Sequence, residues 1–145
     1  RDYAEALNEI KSGRKTSHWI WYIFPQLALH GYSYNAKYFG LKSLSEAVLF
    51  LNDPVLGPRL VEISEVALDW LRKDKPINHL MGSSIDSLKL LASSTLFYYA
   101  SEGSDHNALF KELMEKCQEA LAKRDTDTED FCESSQPPCD EEADT

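Results

Sequence analysis

Apolar residues recur at three- and four-residue spacing along most of this chain, a period that predicts helices rather than strands. Residues 2–12 place Tyr3, Ala6, Leu7 and Ile10 on one face, and Gly13 follows as a left-handed stop. A capping box, Ser43-x-x-Glu46, opens a second helix with Leu44, Ala47, Val48 and Leu51 inward. Asn52-Asp53-Pro54 ends it, and Asp53 with Pro54 starts the next turn. Gly57-Pro58 reads as a further break before a helix over 58–73 that buries Leu60, Ile63, Ala67, Trp70 and Leu71. A polar turn over 73–76 and a short turn over 77–82, ending at Gly82, lead to a helix over 85–100 capped by Ser83 or Ser84. That helix is apolar nearly all round, which places it at the centre of the domain and makes its polar residues informative: Lys89, Ser93, Ser94 and Thr95. Ser104 or Asp105 caps a last helix carrying Leu109, Phe110, Leu113, Cys117, Ala120 and Leu121.

Two stretches break the pattern. Residues 18–24, HWIWYIF, have no clean period; propensity favours a strand. No partner strand is evident and the surroundings are helical, so a short buried helix is expected, capped by Thr16 or Ser17 and ended by Pro25. Residues 26–40 read as a loop with one helical turn near 35–39; eight of the chain's 16 aromatics fall between Trp19 and Phe39. Beyond Lys123 apolar residues are few, Pro137-Pro138 interrupts, and acids are dense, so disorder is expected. The fold predicted is all-α: one compact helical domain over 1–123 with about five main helices plus short turns, and a disordered acidic tail over 124–145. No internal repeat is found.

Charge sharpens this division. The formal net charge is −9, from 15 bases and 24 acids. Residues 125–145 hold nine of the acids and no base, so the first 124 residues carry 15 of each and are neutral. A neutral body with an acidic tail argues against nucleic acid as a partner. The tail itself reads as a solubility element. Cys117 lies on an apolar stripe, Cys132 and Cys139 lie in the tail, and no CxxC pair exists. Reduced thiols in a cytoplasmic setting, or equally a nuclear one, fit that usage. No run reaches the roughly 18 apolar residues of a membrane span, so no membrane is expected as partner. The chain starts with Arg1 inside a helical pattern and is read as lacking its natural start, so the absence of a targeting peptide carries no information.

Candidate chemistry concentrates in Gly13 to Gln26, GRKTSHWIWYIFPQ. Arg14 and Lys15 fall just past a helix C-terminus, where they either complement the dipole or hold a ligand. His18 stands beside Trp19 and Trp21; burial and the neighbouring cations would favour a neutral imidazole able to act as a base, the plainer reading being a core histidine bonded to a carbonyl. His30, His79 and His106 are scattered and read as surface or capping residues. Lys89 is either a snorkelling lysine or a cation lining a cleft, with Ser93 four residues on and so on its face. No metal motif, Walker loop, GxGxxG or GxSxG elbow is present, and no metal or cofactor is expected.

GRKTSHWIWYIFPQL, LNDPVLGPRL and LKLLASSTLF, in this order, resemble an uncharacterised family, the domain of unknown function numbered eighteen-ten. Its pattern is similar to GRKxSHWxWFIFPQ, YLxxPxLGxRL and LKLxSSxTLF, and the match spans residues 1 to about 120. The resemblance implies a compact all-helical domain, like the family's mycobacterial member. It implies no agreed activity; the name calpastatin given to some members looks like a transferred label. On the match, Lys15, Ser17, His18, Trp19, Trp21, Pro25 and Gln26 fill the first motif, Leu56, Gly57, Arg59 and Leu60 the second, and Lys89, Leu90, Ser93, Ser94, Thr95, Leu96 and Phe97 the third. Residues 125–145 have no counterpart on this reading, and a short lead-in before the first helix is missing.

The function expected is a small-ligand site for a nucleotide-like or phosphorylated molecule. Arg14, Lys15 and Lys89 would hold anionic groups, Trp19 and Trp21 would pack a ring, and His18 would be the general acid or base. Gln26, Ser17 and Ser94 would be hydrogen-bonding partners. The alternative is a non-catalytic protein-interaction module with Tyr32, Tyr34 and Tyr38 as hot spots and an unknown protein partner.

Overall fold

Helix α1 (Asp2–Lys11) stops at Gly13, which takes φ 88°. The Gly13 N–H donates to the Ile10 carbonyl at 2.9 Å and the Arg14 N–H to the Glu9 carbonyl at 3.1 Å, so the last turn's carbonyls are satisfied as the chain turns away. The computed structural model describes residues 2–28 and 34–135. Among them the elements continue as α2 (Ile20–Ile23), α3 (Tyr34–Phe39), α4 (Leu44–Asn52), α5 (Leu56–Arg72), α6 (Ile77–Met81), α7 (Ser84–Ala100), α8 (Asn107–Leu121) and α9 (Thr126–Ser135). An isolated parallel bridge, Leu27 with Leu41, is the nearest approach to a strand among the described residues.

Helix α7 is the axis. It packs against α8, α4, α6 and α9, and it buries residues on all its faces, including Leu90, Leu91, Ser93, Ser94, Thr95, Leu96 and Phe97. Polar groups survive there because they bond backward along the helix: Ser94 and Thr95 hydroxyls both donate to the Leu91 carbonyl, at 3.1 and 2.7 Å. Phe97 forms the middle of the core, its ring centroid 5.8 Å from those of Phe50 and Phe110.

Several local expectations change. Gly57-Pro58 does not break the chain; both residues lie in the first turn of α5, where a proline's missing N–H has no helical acceptor to lose. The Asp53 carboxylate accepts from the Val55 and Leu56 N–H groups, 2.9 Å each, and starts the helix. Gly57 is buried because α4 crosses it: a Cβ there would run into the Leu51 carbonyl oxygen. Helix α8 begins after His106 without a side-chain cap, the Ser104 hydroxyl accepting from the His106 N–H instead. Neither Thr16 nor Ser17 caps α2, which starts after Trp19. Finally, residues 126–135 are not the structureless tail expected: α9 buries Thr128, Glu129 and Cys132 and lies against α7, where Tyr99 donates to Glu133 at 2.6 Å. Residues 136–145 lie outside the described residues.

Candidate functional site

Glu9, on the last turns of α1, organises the motif that follows. Its carboxylate accepts from the Thr16 N–H (2.7 Å), the Ser17 N–H (2.9 Å), the Ser17 hydroxyl (2.6 Å) and the Trp19 indole (2.9 Å). Burial would raise this carboxyl, but the bonds from Ser17, Thr16 and Trp19 outweigh it and bring the pKa down to about 2. The reach of the Gly13 turn explains why this happens. The chain doubles back on its own helix, so a residue eight to ten positions upstream becomes the acceptor for Ser17 and Trp19. Ser17 and Trp19 face α1, and the residue between them, His18, is exposed.

Lys15 is drawn the other way. Its N–H donates to the Leu80 carbonyl at 2.7 Å, and its side chain passes into the body at 6% exposure. The ammonium meets the Asp86 carboxylate at 2.7 Å, donates to the Ser17 carbonyl, and stands 4.9 Å from the Trp19 ring centroid. Asp86 sits in the first turn of α7, whose N-cap Ser83 accepts from the Asp86 N–H. One turn on, Lys89 places its ammonium 3.5 Å from the same carboxylate and 3.8 Å from the Trp21 ring centroid. Two lysines, each over a tryptophan face, thus share one carboxylate.

Beside Lys89 opens a hollow of about 450 Å³ between α2, α7 and the α8–α9 turn. Trp21, Leu27, Ile85, Leu88, Leu91 and Ala92 make its apolar walls; Gln26, Lys89, Lys123, Arg124 and Thr126 supply donors; Asp125 and Asp127 are its acids. Arg124 is already paired with Glu129, and the Asp125 carboxylate caps α9, accepting from the Thr128 hydroxyl at 2.6 Å. The Gln26 Nε2 is buried with no hydrogen-bond partner among the described residues. Ile85 and Leu88 remain exposed at the rim.

Of the residues singled out from sequence, Trp21, Gln26 and Lys89 line this hollow, and Lys15 joins them indirectly through Asp86. Ser17 and Trp19 face Glu9 instead, Trp19 at 2% exposure as part of the core. Ser94 is sealed inside, bonded to Leu91 and to the Cys117 thiol. Arg14 and His18 are exposed and are not among the lining residues. Tyr38 is exposed, whereas Tyr32 and His30 lie outside the described residues, as does the side chain of Tyr34. Sequence reasoning overlooked Glu9, Asp86 and the 123–127 wall. Asp86 carried a signal, since it precedes Lys89 by three on a helix; Glu9 carried none at short range.

The family model described as Protein of unknown function (DUF1810) matches residues 1–131, so the match runs into α9 and past the point where the tail was expected to have no counterpart. The crystal structure of the conserved hypothetical protein Rv1873 from Mycobacterium tuberculosis is similar, with a TM-score of 0.70 and 34% identity over 83% of this chain and 86% of that one. No curated protein matches the sequence.

Proposed function

The chain belongs to the DUF1810 family of proteins of unknown function, and from that premise we propose that the hollow beside Trp21 and Lys89 binds an anionic small molecule bearing a flat ring, nucleotide-like in size and charge. The carrying observation is the sharing of one carboxylate, Asp86, by the two ammonium groups of Lys15 and Lys89. Asp125 and Asp127 lie on the wall that also carries Lys123 and Arg124. Around Asp86, by contrast, two cations meet one anion, a local positive excess beside the hollow at sites only 5% and 19% exposed. An anion entering beside Lys89 balances it in a setting where water screens weakly.

The other donors support the same chemistry. Gln26 has an unused amide donor, Lys123 lines the opposite wall, and Asp125 is engaged with Thr128. Trp21, Leu27 and Leu91 offer the apolar surface on which a ring packs. A volume of about 450 Å³ accommodates a molecule of nucleoside monophosphate size. The proposal is of binding; His18, in the position found, is given no step.

The test compares adenosine monophosphate, adenosine and inorganic phosphate as ligands, read by thermal unfolding and calorimetry. At about 100-fold excess over Kd a ligand adds about 2.7 kcal/mol, a rise in Tm of roughly 5–10 °C for a chain of this size. Adenosine monophosphate is expected to give such a rise, and Lys89→Gln and Trp21→Leu to remove it. No shift with any of the three, or a shift untouched by both substitutions, refutes the proposal.

A further inference from the structure

The second sequence motif, LNDPVLGPRL, takes no part in the site just described, yet it builds one of the most tightly constrained corners of the fold. Asp53 caps α5, Gly57 lets α4 and α5 touch, and the corner thereby presents Leu56, Arg59 and Leu60 on one wall of a separate hollow of about 410 Å³. Tyr3 and Asp2 of α1 form the facing wall, with Tyr22, Ile23 and Phe50 completing it. No lining residue is common to the two hollows.

Its polar chemistry is one acid and one base set in an aromatic surround. The Arg59 guanidinium lies over the Tyr3 ring, 5.2 Å from its centroid, and is in no ion pair among the described residues. The ring contact holds the guanidinium beside the hollow, and its N–H donors are in no ion pair that would keep them from a carboxylate. The Tyr3 hydroxyl donates to Glu62, which is not among the lining residues. Asp2 lines the hollow from the start of α1, near enough to Tyr22 that its phenol is pushed up by burial first, then by Asp2 and Glu5.

We infer that this hollow takes a zwitterion, a free α-amino acid with a large apolar side chain. The α-carboxylate lies on Arg59, the α-ammonium on Asp2, and the side chain against Tyr22, Phe50 and Leu60. Charge balance selects this class. A dianionic phosphate would meet Asp2 with only Arg59 in its favour, and a simple cation would meet Arg59. A molecule carrying both charges beside an apolar side chain meets the acid, the base and the aromatic wall together.

The experiment is calorimetric titration of the 145-residue chain with L-phenylalanine, L-tryptophan and L-leucine, alongside N-acetyl-phenylalanine and phenylalanine amide. The expected result is saturable binding of at least one free amino acid, weakened about tenfold or more in each blocked analogue. Arg59→Gln removes this binding while the unliganded protein melts as before, because Arg59 is exposed; Asp2→Asn, also exposed, gives a second variant. Lys89→Gln leaves amino-acid binding intact, which separates this site from the anion site. Absence of binding by all three amino acids, equal binding of the blocked analogues, or full binding by Arg59→Gln overturns the inference.

Discussion

Glu9 shows how much a single side chain can settle. Four donors converge on its carboxylate, and one of them belongs to a tryptophan at 2% exposure. Glu9→Ala strands the indole and both N–H groups, and a loss of about 2–3 kcal/mol is expected by urea unfolding. The same site predicts a pH dependence. Its folded pKa is depressed from 4.5 to about 2, so its stabilisation is complete above about 4.5 and fades as the pH falls towards 2. The stability gap between the natural protein and Glu9→Ala should therefore close across that interval. Cys117 and Cys132 are opposite cases: burial, opposed at Cys117 by a weaker bond with Ser94, pushes both thiols up to about 12. Alkylation at pH 8 followed by peptide mapping should label neither until the chain unfolds. Cys117 was legible as part of an apolar stripe, but Cys132 was assigned to the tail and Glu9 was passed over. Glu9 lies too far from His18 along the chain to be paired with the motif, and only the left-handed Gly13 brings it back.

At the scale of elements, period and punctuation were sufficient where they acted locally. Gly13, the Ser43 cap, Asp53 and Gly82 all stand at the ends where they were expected. They failed where a neighbouring helix decided. Gly57 read as a breaker, yet its lack of a side chain serves the α4 crossing, and Gly57→Ala is expected to cost about 3 kcal/mol by overpacking. Gly103 tests the distinction: it has φ 79° and open space around its Cα, so Gly103→Ala should cost only about 1 kcal/mol of backbone strain. Helix α9 was invisible because its own composition is too polar to fold alone. Burial of Cys132 and Thr128 against the rest of the molecule supplies what its sequence lacks.

For the whole molecule, the consequence is that the domain does not end at residue 123. Truncation there removes the Arg124–Glu129 and Tyr99–Glu133 pairs, uncovers the surface beneath α9, and deletes one wall of the anion hollow. On the order of 3 kcal/mol should be lost, together with the response to adenosine monophosphate; thermal unfolding of the truncated chain with and without ligand checks both. The helical class was legible throughout because every major helix carries its own apolar stripe. The candidate site was legible only in part, since Trp21, Gln26 and Lys89 announced themselves as residue types while the wall at 123–127 depends on where α9 docks. Spacing along one chain says little about which of two hollows a motif will serve, and the three motifs here divide between both.

The seam between Lys15 and the end of α6 has a consequence for the order of assembly. The Lys15 N–H bonds to the Leu80 carbonyl, and a Cβ on Gly82 would stand 2.6 Å from the Lys15 carbonyl oxygen. Such a clasp joins distant parts of the chain, so it closes only after the intervening helices have condensed. Gly82→Ala should therefore leave the refolding rate nearly unchanged and hasten unfolding, with nearly all the lost stability showing in the unfolding arm of a stopped-flow chevron.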